Sequence, residues 1–386
     1  MPPPFSTGKL DALMDQAGID VVLATSKENV QYLLGGYRFF LFAHKDSIGV
    51  SRYLPCLGYV KGRPEMGFYV GCQGEGTQQA LEPAFWIKNV RNNSWYSEKT
   101  GTEAAGFIRH LGFAAGVVGV ERAFLPTDCF TALQSELPGA KFIEAHPILD
   151  ELRAVKRPEE LAILKEASEL IVDSLLEVVS NTTAGTTTRE IAEHVRREEV
   201  NRGLNFEYCL ACTGRTDNRV PSEARWEEGS ILSLDSGGNK NGYIGDLCRM
   251  AVMGTPTKLM TDLLAEVQAV QAAARAAVRA GATGNEIVEK ALAEQARCPH
   301  RNQMIFLAHG MGLIQHEAPH LTSTGSIPYP AVYASRPLQS GMVLSIETDL
   351  RNPEVGFVKL EDTVAVTADG YEAFGDRGRE WNAVQG

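Results

Sequence analysis

The stretch LSLDSGGNKNGYIGDLCRM, residues 232 to 250, constrains the fold more than any other part of the chain. Two apolar runs flank a turn rich in glycine and asparagine, the pattern of a β-hairpin. Each arm nevertheless carries a carboxylate, Asp235 on the first and Asp246 on the second. With the turn centred between Lys240 and Asn241, the two aspartates are expected directly opposite one another, Cβ atoms about 5 Å apart. Aspartate is common beside turns, so two solvated hairpin ends are one reading. A cation held between two buried anions is the other, because it removes the cost of their burial and repulsion.

Three later segments place similar residues in apolar surroundings. LAHGMGLIQHEAPHL contains His309, His316, Glu317 and His320, GMVLSIETDL contains Glu347, and GFVKLEDTVAV contains Glu361. Each taken alone has a solvent-facing explanation. Together, Asp235, Asp246, Glu347 and Glu361 with one imidazole supply ligands for two ions of intermediate hardness, such as Mn, Fe, Co or Zn. Two such ions, about 3.5 to 4 Å apart, generate hydroxide and stabilise an attacked centre.

The rest of the chain is long enough to surround such a site. It has 386 residues, 44% of them hydrophobic, which is room for two domains with buried cores. The net charge of -11 argues against nucleic acid or an anionic membrane as partner. No apolar run approaches the ~20 residues that span a bilayer. MPPPFSTGKL lacks the basic-then-apolar pattern of a signal peptide, so a cytoplasmic location is expected. The seven cysteines are scattered and odd in number, which is no disulfide framework, and the lone CxxC of Cys209 and Cys212 reads as two small apolar residues in a strand.

Residues 1–150 alternate β-rich runs (20–26, 66–72, 116–122, 140–145) with helical stretches, which predicts an α/β domain. Pro158 followed by Glu159 and Glu160 marks a helix start, and the charged segment before it marks the boundary. Residues 151–386 read as an α+β domain: a helix from Pro158, another from Thr188, an Ala-rich helical segment over 257–297 broken at AGATGNE, and strands over 302–370. The expected architecture is a curved antiparallel sheet covered by helices.

The order Asp, Asp, His, Glu, Glu, with LDSGGNKNGYIGDLCRM, HGMGLIQHEAP, GMVLSIE and VKLEDTVAVT around the five residues, resembles the pita-bread metallohydrolases. That group includes methionine aminopeptidase, aminopeptidase P, prolidase and creatinase. ELRAVKRPEELAIL is similar to the family's domain-joining segment, and SKENVQYLLGGYR to the N-terminal domain of the prolidase and creatinase branch. The resemblance implies that Asp235 holds one metal and His309 the other, that Asp246 and Glu361 bridge them, and that Glu347 binds metal and accepts a proton. It implies that His316 binds substrate or stabilises the tetrahedral intermediate, and that Arg249 is structural. It also implies a homodimer, with one or two divalent ions per chain, manganese first and Fe, Co or Zn as alternatives.

Three positions depart from the prolidase pattern. A histidine about 17 residues before the first metal aspartate is replaced at Asn218, one four residues before the metal histidine is replaced by Ile305, and a threonine is replaced by Cys248. These changes point to a different target: a small non-peptide molecule whose C–N bond is cleaved by hydroxide generated at the metal, as in 5-nitroanthranilate aminohydrolase, ectoine hydrolase or creatinase. Arg215 and Arg219 then offer a substrate carboxylate bidentate contacts, and Ile305 with Tyr37, Phe39 and Phe40 suits an aromatic substrate if the GGYRFF loop, whose Arg38 is a further substrate-binding candidate, reaches the pocket as its family counterpart does. The alternatives are an Xaa-Pro dipeptidase or aminopeptidase, and a metal-free binding protein. Glu317 and His320 are read as supporting residues, and His44, His110, His146 and His300 are unassigned.

Overall fold

The computed structural model describes residues 2–47, 49–82, 85–322 and 330–385. The chain divides into two compact units, Met1–Arg153 and Ala154–Gly386.

The first unit is built on six strands: β1 (Val21–Ala24), β2 (Cys56–Val60), β3 (Phe68–Gly71), β4 (Asn89–Asn92), β5 (Val117–Val120) and β6 (Lys141–Glu144), in the order β4-β3-β2-β1-β5-β6. β1, β5 and β6 are parallel, while β2 runs antiparallel to both β1 and β3. Four of these strands fall in the β-rich runs of the sequence. β2 and β4 do not, for different reasons. β2 is interrupted by Gly58, whose missing side chain leaves room for the Phe68 ring, 2.2 Å from where a Cβ would stand. β4 is polar and only half-buried, so it shows no apolar signature. Helix Thr7–Ala17 is capped at both ends: Ser6 accepts from the Lys9 amide at its start, and Gly18 closes it at φ 67°.

The second unit carries an eight-stranded sheet. Its strands are β7 (Asn205–Thr213), β8 (Ile231–Lys240), β9 (Tyr243–Met253), β10 (Met304–Gly310), β11 (Val343–Asn352), β12 (Gly356–Val366), β13 (Tyr371–Phe374) and β14 (Asn382–Val384). The main path runs β10-β11-β12-β9-β8-β7, antiparallel throughout; β13 adds to β12, and β14 to β9. The strand reading of 302–370 holds for β10 to β12, and its part over 323–329 lies outside the described residues.

Helix Pro158–Asn181 packs on β8 and β9, with Ile171, Val172 and Leu175 against Leu232, Leu234 and Leu247. Helix Lys258–Ala276 packs on β11 and β12, with Val267, Val270 and Ala274 against Leu344, Ile346 and Leu360. Because strand side chains alternate between faces, the residues between those leucines point the other way. They are Ser233, Asp235, Asp246, Cys248, Ser345, Glu347, Lys359 and Glu361. One face is thus apolar under helices and the other gathers polar groups.

The centre of the hairpin lies one residue further along the chain than expected. Lys240 pairs with Tyr243, so the two-residue turn is Asn241-Gly242, at φ 51° and 87°. Asn-Gly satisfies the left-handed conformation that a tight hairpin turn demands at both central positions. Asp235 consequently opposes Cys248, and Asp246 opposes Gly237. The aspartates are diagonal neighbours on one face, not a directly opposed pair.

Behind this hairpin, Glu199 of helix Thr188–Asn201 is fully buried. Its Oε1 accepts from Ser236 Oγ at 2.6 Å, and its Oε2 has no partner among the described residues. Burial raises its pKa to about 7, with the Ser236 hydrogen bond opposing and Glu207 adding to the rise. The folded chain therefore holds a proton that the unfolded chain releases near pH 4.5, and stability falls as pH rises from there to about 7. Glu199→Gln is expected to flatten this slope and to stabilise the protein at pH 8 by about 2–3 kcal/mol. Urea unfolding of both proteins at pH 5 and pH 8 checks this, and an unchanged slope refutes it.

Candidate metal centre

The polar face is organised as rows running across the sheet. One row reads Leu307, Glu347, Glu361, Cys248, Asp235 and Leu210, each residue opposite the next. Two residues further along each strand lie His309, opposite Ser345 and then Thr363, and Asp246, opposite Gly237. Thr363 Oγ1 donates to the Asp246 carbonyl at 3.1 Å and joins the two halves of this second row. Four carboxylates and an imidazole from five strands thus share one small region. Asp235, Asp246, His309 and Glu361 are each 2% exposed or less, so none is a solvated chain end.

Ligand atoms of Asp246, His309 and Glu361 all lie within 4.8 Å of one another. His309 Nδ1 lies 3.1 Å from the Gly310 carbonyl, which orients the ring and directs Nε2 at the glutamates. Nε2 is buried with no hydrogen-bond partner among the described residues, 3.6 Å from Glu347 Oε1 and 3.8 Å from Glu361 Oε1. A buried imidazole nitrogen without a partner, facing converging carboxylate oxygens, fits a divalent cation. Without one, burial opposes protonation of His309, but Glu361 and Glu347 outweigh it and raise its pKa to about 9. Asp246 is pushed well above the usual carboxylate range by burial and then by the charges of Glu361 and Asp235.

Asp246 is gripped from both sides. Its Oδ1 accepts from the Tyr208 hydroxyl and its Oδ2 from Gln315 Nε2 at 2.6 Å; Gln315 also reaches the Tyr208 oxygen at 2.7 Å. Gly237 makes this possible, since a Cβ there would stand 2.3 Å from the Tyr208 ring. His316 stacks on His309 with ring centroids 3.7 Å apart. Burial, and then the charge of His309, holds its pKa down at about 3, so it is neutral.

Lys359 is the residue that sequence reasoning missed. Its buried ammonium lies 2.7 Å from Asp235 Oδ2, 2.6 Å from Glu347 Oε2 and 2.7 Å from Glu361 Oε2. Its position two residues before Glu361 was the available signal, since period two puts both on one face. Tyr208 and Gln315 were likewise passed over.

These residues line a cavity of about 550 Å³, together with Leu210, Arg219, Ile305, Phe306, Leu307, Asp349 and Arg351. Ile305 and Arg219 are therefore in its wall. Arg219 is already engaged, donating to Asp235 while its guanidinium lies over the Phe357 ring. Asn218 and Arg215 are exposed and are not among the lining residues; the Asn218 carboxamide oxygen accepts from the Val220 amide of its own loop, at 3.2 Å. The family spacing that singles out Asn218 places it in this loop and not on the cavity wall. Tyr37 and Phe39 are buried within the first unit's own core: the Tyr37 hydroxyl donates to Glu75 at 2.8 Å, and Phe39 packs on Tyr53. Buried Glu75 needs such donors, and it also takes Tyr53, Tyr69 and the Cys72 amide. Arg38 is half-buried, and its carbonyl accepts from Gln78. Arg249 donates to the carbonyls of Cys248, Glu361, Gly375 and Arg377, which is a structural role. Glu317 pairs with Lys156 at 2.9 Å.

Comparison with known proteins agrees with this architecture. Residues 162–368 match the model of metallopeptidase family M24, and residues 7–155 the creatinase/prolidase N-terminal domain. An Xaa-Pro dipeptidase of Pyrococcus furiosus is 28% identical over 374 residues, covering 94% of this chain and 95% of the relative. The peptidase YqhT of Bacillus subtilis is 24% identical over 371 residues, with 94% and 95% covered. Among solved structures, the Xaa-Pro dipeptidase of Bacillus anthracis superposes with TM-score 0.80 at 22% identity, covering 98% of both chains, and so shares the pita-bread fold. These findings overturn the expectation of a non-peptide C–N hydrolase of the 5-nitroanthranilate type, because relatives along nearly the whole chain are named Xaa-Pro dipeptidases. The departures at Asn218 and Ile305 were given too much weight against that extent of likeness. With two matched domains, a pita-bread sheet and carboxylates converging on an imidazole nitrogen that has no hydrogen-bond partner among the described residues, this chain belongs to metallopeptidase family M24 and is a metal-dependent hydrolase.

Proposed function

We propose that the chain is a metal-dependent peptidase that cleaves the bond before proline in short Xaa-Pro peptides. The observation that carries this reading is its likeness, over 94% of its length, to Xaa-Pro dipeptidases of two Pyrococcus species. Asp246, His309 and Glu361 hold the cation, with Glu347 beside them. Manganese is assigned first, since carboxylate-rich sites suit harder ions. A bound divalent cation supplies a Lewis acid to the scissile carbonyl and lowers the pKa of water.

The chain's own residues do the rest. Glu347 lines the cavity, where it accepts a proton from the attacking water. Neutral His316 offers a hydrogen bond to the scissile carbonyl oxygen. Ile305, Phe306 and Leu307 give an apolar wall that suits a pyrrolidine ring, and Arg351 at the same wall suits the substrate carboxylate. The seven cysteines are free and buried, which fits a reducing cytoplasmic setting, and no described helix is long and apolar enough to cross a membrane. A homodimer is the assembly implied by the prolidase resemblance.

The test is turnover by the full chain with added manganese on Xaa-Pro dipeptides, Xaa-Pro tripeptides, proline-free dipeptides and aminobenzoates. Release of proline or of the N-terminal residue from Xaa-Pro peptides, abolished by chelation, is the expected result. Hydrolysis confined to proline-free peptides or to aminobenzoates overturns the reading.

A further inference from the structure

We infer that the Lys359 ammonium takes one of the two cation positions of the carboxylate cluster, so that the chain binds a single divalent ion. This rests on the metallopeptidase reading of the same site and sharpens it.

The geometry of Lys359 carries the inference. An ammonium has three donors, and three carboxylate oxygens stand 2.6 to 2.7 Å away, one each from Asp235, Glu347 and Glu361. Its hydrogen-bonding capacity is therefore saturated by the same residues that would otherwise meet a second metal. Glu347 and Glu361 each give Oε2 to Lys359 and turn Oε1 towards His309. Both glutamates thus bridge two positions: the ammonium on one side, and the Asp246–His309–Glu361 position on the other. Asp235 meets the first through its Oδ2. Its Oδ2 takes Arg219 as well as Lys359, so an ion bound there has to displace two cationic side chains.

Charge balance agrees. The cluster holds the carboxylates of Asp235, Asp246, Glu347 and Glu361, and Lys359 and Arg219 neutralise two of the four charges. One divalent ion neutralises the remaining two, with His309 as a neutral ligand. A second divalent ion leaves a buried excess of positive charge, which is costly. For two ions to bind, Lys359 has to leave the cluster, and the group directly opposite it on β11, Asp349, is the available alternative partner.

The experiment is manganese stoichiometry, independent of turnover. The full chain is stripped with chelator, titrated with manganese chloride by calorimetry, and examined by elemental analysis and by electron paramagnetic resonance. One manganese per chain with the spectrum of an isolated ion is expected for the natural protein. Lys359→Met, which keeps the stem and removes the charge, is expected to take up two ions with a spin-coupled spectrum. Two ions in the natural protein, or one ion in a folded Lys359→Met, overturns the inference. Should that variant fail to fold, the stoichiometry of the natural protein still decides. Two ions with Xaa-Pro cleavage removes this inference and leaves the proposed function standing; one ion without Xaa-Pro cleavage does the reverse.

Discussion

Asp246→Asn is expected to lose about 10²- to 10³-fold in kcat/KM on Xaa-Pro peptides, with weakened manganese binding. Losing the cation forfeits several kcal/mol of Lewis-acid stabilisation, and about 3–4 kcal/mol corresponds to that fold-change. The substitution keeps the size of the side chain, and its carbonyl oxygen still accepts from Tyr208 or Gln315. It also removes one of four like charges from a buried cluster, where a pair about 4 Å apart repels by several kcal/mol at most. The metal-free variant is therefore expected to melt no lower than the natural chain. Kinetics, manganese calorimetry and a thermal scan of the metal-free protein check the three parts. Turnover within tenfold of the natural value removes Asp246 from the metal site.

The second large effect is on stability. Arg249→Met is expected to destabilise the catalytic unit by about 3–5 kcal/mol, the cost of breaking a buried charge network. Arg249 is 2% exposed, and its guanidinium serves the carbonyls of Cys248, Glu361, Gly375 and Arg377 at 2.5 to 2.8 Å. Met fills the volume but leaves these carbonyls without their donor. Asp362, whose Oδ1 lies 3.2 Å from the Arg249 guanidinium, suffers less, since Arg275 and Arg379 also reach it, at 3.1 and 2.9 Å. Lysine is a poor replacement, because one compact ammonium cannot reproduce a planar fork of donors. Urea unfolding measures the loss, and a midpoint equal to that of the natural chain refutes it. Because Arg249 ties the backbone of β9 to that of β12, a smaller loss of turnover is expected alongside.

Legibility in the sequence followed local periodicity. Asp235, Asp246, Glu347 and Glu361 stand out because a carboxylate in an apolar strand breaks the alternation that one-sided helix cover imposes. The helix start at Pro158 was readable because the signals of a first turn are local. The placement of Asn218, Arg215, Tyr37 and Phe39 was not legible, because it depends on where a loop or a core puts them. Loop spacing carries no periodicity, and an aromatic residue looks the same in a pocket or a core.

Lys359 shows where local information ends. Period two puts it on the face of Glu361, and the sequence by itself determined that face, the five converging residues, and the helix-covered sheet beneath them. A lysine stem is long enough to reach water or to fold back onto its neighbours. Only the tertiary structure, by bringing β8, β11 and β12 side by side, decided that three carboxylates meet its ammonium. The register of the hairpin was decided the same way: Asn-Gly fits the turn locally, but the pairing across strands sets which residues of the two arms face each other. Strand neighbours distant in sequence create electrostatic environments that no single segment encodes.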